Sequence, residues 1–219
     1  MHNVTVAFAV LLVMLLSYFF GCFNGSFMVS HFIIRDDVRK HGSGNAGLTN
    51  FYRTYGAKYA LLVIACDMGK TVAACLLGSF FFRCLGWDGT LGTLLAGLGC
   101  ELGHIFPVFY GFRGGKGILS GGTLVLLLNW RVAAVAWALF LLLWLTTRYV
   151  SLASITATCS APITVYFVYG HNWLYTGLCL AVAALAVWCH RENIQRLLHG
   201  TEKKFKWHVN PTEGKDPPK

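Results

Sequence analysis

Apolar residues come in long blocks divided by short polar steps, the pattern of helices that cross a bilayer, each of which needs about 20 apolar residues. The first block covers residues 4–34, enough for one long or tilted helix. The second, 59–82, spans despite Asp67 and Lys70, and the third runs from 90 to 109. Blocks 117–129 and 132–147 are shorter; the former reads as a short helix, with a re-entrant piece as its alternative. Between Arg148 and Arg191, 42 residues pass without an Asp, Glu, Lys or Arg. That stretch divides at Gly170-His171-Asn172 into helices over 151–169 and 173–189. The pattern predicts an all-α integral membrane protein of about seven transmembrane helices. Residues 1–209 form one domain, and 210–219, with three Pro and no apolar run, form a disordered tail.

Composition agrees: 56% of residues are hydrophobic and only 12% charged, too few to cover an aqueous surface. Aromatics reach 15%, with seven Trp, and Trp and Tyr collect at bilayer interfaces. The formal charge of +9 does not mark a nucleic-acid binder, because the cations sit between apolar blocks rather than along a stripe. Residues 1–20 lack a positive leader and an A-x-A site, so the first helix reads as retained. Eight Cys, nearly all in apolar runs and without a C-x-x-C pair, behave as small hydrophobes. With seven crossings, 15 of the 18 Lys and Arg fall on one side, Arg83 and Arg131 on the other, and Lys70 within a span. The positive-inside rule then places the C-terminus in the cytoplasm and Met1 outside.

The polar clusters all fall on the cytoplasmic side. The first, 42–53, offers Gly42, Gly44 and Gly47 for positive φ and close backbone approach, with Ser43, Asn45, Thr49, Asn50 and Arg53 as side-chain donors. It is an oxyanion loop or a flexible connector. The second is Phe112-Arg113-Gly114-Gly115-Lys116-Gly117, leading into a helix. Two cations and a helix N-terminus make an anion site, without the spacing of a Walker A loop; a plain topology signal is the alternative. The third runs from His190 to Glu202, with His190 and Asn193 sharing a helix face and Arg196 one turn further. A solvated amphipathic end would look similar. Asp67 and Lys70, at i, i+3 within a span, pair with one another or face a polar interior, with a proton or ion pathway as the functional alternative. Glu101 and His104 make an E-x-x-H spacing with no second copy, so His104 reads as a satisfied interfacial residue rather than a metal ligand.

These residues carry a family resemblance. The sequence resembles the bacterial acyl-phosphate glycerol-3-phosphate acyltransferases, membrane enzymes that make 1-acyl-glycerol-3-phosphate. G-S-G-N-x-G-x-T-N-x-x-R is complete from Gly42 to Arg53, and F-P-V-F-x-x-F-x-G-G-K-G from Phe106 to Gly117, with Arg113 where Lys is commoner. Thr147 to Ser154 and the H-R-x-N-I-x-R-L-x-x-G-x-E pattern from His190 to Glu202 also match. Phe27-Met28 where a Pro is usual, Thr71 after Asp67-x-x-Lys70, and Leu119 in place of a smaller residue depart from the pattern.

The resemblance implies that Arg53, Lys116, Ser154, His190 and Asn193 contact glycerol-3-phosphate, while Ser43 and the Gly114–Gly117 loop serve the acyl-phosphate end. Ser43, Arg53, Lys116, His190 and Asn193 are the expected catalytic set. Gly42, Gly44, Asn45, Thr49, Asn50, Arg113, Gly114, Gly115, Gly117, Ser154, Arg196 and Glu202 are the expected binding set. It implies a bacterial inner-membrane enzyme that uses a fatty acyl phosphate and glycerol-3-phosphate, works among membrane lipids, and needs no cofactor, metal or nucleic acid. His190 or a substrate phosphate takes the hydroxyl proton. The soluble-donor acyltransferases' H-x-x-x-x-D motif occurs only as His31 and Asp36, at the end of an apolar helix, so acyl-CoA and acyl carrier protein are not expected as donors. An anion transporter would use Asp67 and Lys70 but lacks a repeat; a lipid-binding scaffold would not need the Gly spacings.

Overall fold

The computed structural model describes residues 2–206, with side chains from residue 4; the expected tail at 210–219 lies outside the described residues. Every predicted block is helical. Helix α1 is His2–Cys22, α2 Gly25–Met28 running into a π turn at Val29–Ile33, α3 Leu48–Tyr55, α4 Ala60–Cys84 and α5 Gly89–Ile105. Then follow α6 Ile118–Leu128, α7 Trp130–Thr147, α8 Val150–Val168, α9 Trp173–Cys189 and α10 Arg191–Leu198.

Five segments are long and apolar enough to cross a membrane: Val4–Ile33, α4, Gly89–Tyr110, α7 and α8. The pair α9 and α10, bent by 59°, counts as a sixth. Seven is therefore an approximate count, and it turns on α6. Its 11 residues span only about 16 Å at 1.5 Å per residue. Tyr169 Oη donates to the Leu128 carbonyl at 2.8 Å, so α6 ends level with the far end of α8. Helix α8 has 19 residues, so α6 is roughly 12 Å the shorter of the two. The loop before this short helix brings Lys116 inward to Asn193 of α10.

The first block is not one helix. It breaks at Asn24, whose Oδ1 accepts from Phe27 N at 2.9 Å and whose Nδ2 donates to Ala46 O at 2.9 Å. Asp67 Oδ1 takes the Gly25 N–H at 3.0 Å. A side chain at Gly25 would meet the Val63 carbonyl at 2.7 Å, so the break and the glycine together seat α2 on α4. The third block also ends early: α5 stops at Ile105, and Pro107 leads into a 3-10 turn at Val108–Tyr110.

Helix α5 is the central post, packed between α1 and α4 and touched by α6 and α9. Glycines permit this. Side chains at Gly99 and Gly103 would run into the Met14 and Tyr18 carbonyls of α1, and Gly78 of α4 faces Gly92 of α5 backbone to backbone. Such small-residue seams gain dispersion contacts where lipid supplies no hydrophobic drive. Helices α7, α8 and α9 form a second layer. Outward faces carry exposed Leu11, Phe80, Leu142 and Phe167, with Trp130 and Trp173 at helix ends, as expected of lipid-facing surfaces and interfacial anchors.

Candidate active site

The 42–50 loop is folded around Asn50. Its Nδ2 points at the carbonyls of Val38, His41 and Asn45, at 3.0–3.1 Å, and its Oδ1 accepts from Ser43 N at 2.9 Å. Gly42 holds φ +59°, and a side chain there would strike the Asn50 amide. Asn50, expected as a substrate donor, is thus consumed in shaping the loop. The loop presents Ser43, Asn45 and the N-terminal turn of α3 to a cavity of about 1170 Å³, where unpaired helix N–H groups favour an anion.

The second loop is folded differently from an anion nest. Gly114 N donates to Ile105 O and Gly115 N to His104 O, both at 3.1 Å. Side chains at these glycines would collide with the His104 carbonyl and imidazole. Ala46 N donates to Gly114 O at 3.3 Å, which ties the two loops together. The glycines therefore allow the loop to lie against the end of α5, and their N–H groups are spent there. What the loop delivers is Lys116, followed by Gly117 at φ +78° and the start of α6.

Lys116 Nζ donates to Asn193 Oδ1. Asn193 Nδ2 in turn donates to Glu202 Oε1 at 2.7 Å, and Ser151 Oγ reaches the same oxygen at 2.8 Å. Glu202 Oε2 accepts from Arg196 Nε at 2.7 Å. An ionised carboxylate only accepts, so Glu202 orients donors instead of gripping a phosphate. Burial opposes its ionisation, yet the hydrogen bonds from Asn193, Arg196 and Ser151 outweigh it and hold its carboxyl below the ordinary range. Burial pushes Lys116 down to about 8, with Arg196 adding to the effect and Glu202 opposing it. Burial likewise lowers Arg53, whose Nη2 donates to Lys203 O at 3.1 Å.

His190 sits at the bend between α9 and α10. Its Nδ1 lies 2.7 Å from the Ala186 carbonyl, which can only accept, so Nδ1 carries the proton and Nε2 offers a lone pair. The chain after α10 folds back over the site: Phe205 N donates to Arg148 O at 2.8 Å, and the Phe205 ring stacks on Tyr52 with centroids 5.4 Å apart.

One cavity collects Gly42, Ser43, Asn45, Thr49, Asn50, Arg53, Lys116, Gly117, Ser154, His190, Asn193, Arg196 and Glu202. Four expected site residues lie outside it. Gly44, Gly114 and Gly115 shape the loops, and Arg113 opens onto a separate surface depression with Arg39, Lys40 and Asp37. Several residues that line the cavity or brace it were not foreseen. Asp67 and His104 sit on its wall, Ser151 braces Glu202, and Leu119, Trp137, Phe140, Ala157 and Ala161 line an apolar body beneath the polar mouth. A Trp-x-x-Phe step in α7 and small residues at i, i+4 in α8 are the signals that point to such a lining.

A family model described as glycerol-3-phosphate acyltransferase matches residues 11–200. Curated relatives called glycerol-3-phosphate acyltransferase include one from Alkaliphilus metalliredigens, 40% identical over 89% of this chain and 95% of its own. Another, from Syntrophomonas wolfei, is 38% identical over 88% and 95%. Among solved structures, the integral membrane glycerol 3-phosphate acyltransferase PlsY in its glycerol 3-phosphate form superimposes with TM-score 0.80, at 36% identity, over 90% of this chain and 96% of that one. Its lysophosphatidic acid form gives 0.78 at 34% identity, with the same coverage. With the match running from α1 through α10, the chain belongs to the glycerol-3-phosphate acyltransferase family.

Proposed function

We propose that this enzyme moves the acyl group of a fatty acyl phosphate onto the sn-1 hydroxyl of glycerol-3-phosphate, giving 1-acyl-glycerol-3-phosphate and inorganic phosphate. The observation that carries this reading is the joint cavity: a mouth with Arg53, Lys116 and Arg196 opens into an apolar body lined by Trp137 and Phe140. The solved relative's glycerol 3-phosphate and lysophosphatidic acid forms match the acceptor and product. An acyl phosphate is a mixed anhydride with a good leaving group, so two anions held together and a stabilised transition state suffice. Arg53, Lys116, Ser154 and Arg196 bind phosphate oxygens, Ser43, Thr49 and the start of α3 hold the second phosphate, and Asn193 aims Lys116. His190 Nε2 accepts the hydrogen bond of the attacking hydroxyl, and that proton ends on the departing phosphate. Residues 1–209 act as one unit, and the mouth faces the cytoplasm of a bacterial inner membrane, where the basic loops lie.

The test is to incubate the purified protein with glycerol-3-phosphate and palmitoyl phosphate, palmitoyl-CoA or palmitoyl acyl carrier protein. Lysophosphatidate and free phosphate should form with the first donor alone. Comparable turnover with palmitoyl-CoA would overturn both the donor and the mechanism.

A further inference from the structure

Three ionisable side chains that the reaction above does not use are buried together beside the cavity. Asp67 and Lys70 on α4 and His104 near the end of α5 are 2%, 6% and 4% exposed. Lys70 Nζ lies 2.8 Å from Asp67 Oδ1, 3.1 Å from the Gly21 carbonyl and 2.7 Å from His104 Nδ1. Its three protons are thereby all placed. Paired with the Asp67 carboxylate, Lys70 is an ammonium, which has no lone pair, so His104 Nδ1 must accept and Nε2 must carry the ring proton. Among the described residues nothing accepts from Nε2, and the imidazole lies on the cavity wall with that edge against Gly115. The two cavity histidines are thus fixed in opposite tautomers: His190 offers an acceptor and His104 a donor.

We infer that His104 is a further catalytic residue, whose Nε2–H donates a hydrogen bond to the carbonyl oxygen of the acyl donor, with Lys70 and Asp67 as positioning residues. This rests on the acyl-phosphate reading. The cations at the mouth suit the phosphates. The Asp67–Lys70 pair cancels in charge, so His104 acts as a neutral donor, which suits a carbonyl that becomes anionic only as the reaction proceeds. The glycerol hydroxyl oxygen bonds to the carbonyl carbon, and the oxygen gains charge. The carbon–oxygen bond to phosphate then breaks, with its electron pair leaving on phosphate, which also takes the hydroxyl proton. His104 keeps its own proton throughout. A donor fixed in advance by a buried pair costs no reorganisation at that moment.

The experiment compares wild type, His104→Phe and His104→Gln as folded full-length protein, with palmitoyl phosphate and glycerol-3-phosphate, and with hexadecyl phosphate, which lacks the carbonyl, as competitor. His104→Phe should lower kcat by about 100-fold or more, while KM for glycerol-3-phosphate and Ki for hexadecyl phosphate stay within about threefold. His104→Gln, whose amide N–H reaches the Nε2 position, should recover at least about tenfold of that loss. An undiminished kcat in His104→Phe overturns the inference, as does a parallel rise of KM and Ki in both variants. If His104→Phe does not fold, His104→Asn replaces it: Asn reaches only the Nδ1 position, and activity equal to His104→Gln overturns the inference. Absence of wild-type turnover would overturn the reaction itself, which the variant ratios do not address.

Discussion

Lys116 should give the reaction an alkaline limit, and its size follows from the site. Burial brings the amine down to about 8, Arg196 contributing in the same direction and Glu202, Glu192 and Cys189 against it. A lowered amine pKa means that the cation is present below that value and lost as pH rises through it. Between pH 7 and pH 9 the charged fraction falls roughly tenfold, so kcat/KM, which reports the free enzyme, should fall about tenfold. The substrates do not obscure this limb, because phosphate monoesters have their second pKa near 6 and are about 90% doubly ionised by about pH 7. The assay is phosphate release from palmitoyl phosphate at limiting glycerol-3-phosphate, at fixed ionic strength, from pH 6.5 to 9.5. Lys116→Ala should be at least about tenfold slower at pH 7, equivalent to 1.4 kcal/mol, and its profile should be flat over the same range. Lys116→Arg, which stays charged, should lose part of its activity through altered geometry but keep no limb near pH 8. A wild-type profile flat to pH 9.5, or an alkaline limb that survives in Lys116→Ala, would refute the assignment of the cation.

Glu202→Gln removes the acceptor of Arg196 Nε and loosens Asn193; KM for glycerol-3-phosphate should rise about tenfold, since a charge-assisted hydrogen bond is worth about 1.5–3 kcal/mol, and an unchanged KM would separate Glu202 from the site. Gly115→Ala drives a methyl group into the His104 imidazole, and a thermal melt in detergent should show a loss of about 1–3 kcal/mol, as overpacking typically costs. Ala161→Phe fills the apolar body of the cavity and should shift the palmitoyl-to-dodecanoyl phosphate preference by at least about tenfold towards the shorter donor, measured by competition. A reporter fused after Lys219 should be cytoplasmic and one before Met1 external; both on one side would mean an even number of crossings, with 117–129 the first segment to lose its crossing.

Much of the fold is legible because lipid imposes a length on the helices that span it and glycine allows the close seams around α5. Blocks of apolar residues give the helices directly, and the motifs at 42–53, 106–117 and 190–202 mark the cavity's mouth before any folding is known. What stays hidden is the direction in which polar groups spend their hydrogen bonds. Asn50 reads as a ligand, but its amide closes its own loop. Gly114 and Gly115 read as an anion nest, but their N–H groups go to the α5 carbonyls. Glu202 reads as a contact to substrate, but its two oxygens accept from Asn193, Ser151 and Arg196. Asp67 and Lys70 read as a pair or as facing a polar interior, but their third member stays hidden because His104 is 34 residues from Lys70 and arrives only through the α4–α5 packing.

The shortness of α6 joins these observations into one physical scheme. Because α6 is short, the loop before it carries Lys116 into a largely buried position beside Asn193, where water screens less and each charge–charge contact is stronger than at an open surface. An unpaired cation buried there would be costly. Asn193 lowers the cost by accepting from Lys116 without neutralising it, and Glu202 sits one hydrogen bond further out, close enough to orient Asn193 but not in contact with the ammonium. The positive charge is therefore left available for a phosphate instead of being consumed by a salt bridge. A carboxylate in place of Asn193 would pair directly with Lys116, so Asn193→Asp should raise the Lys116 pKa, move the alkaline limb upward and weaken glycerol-3-phosphate binding in the same variant.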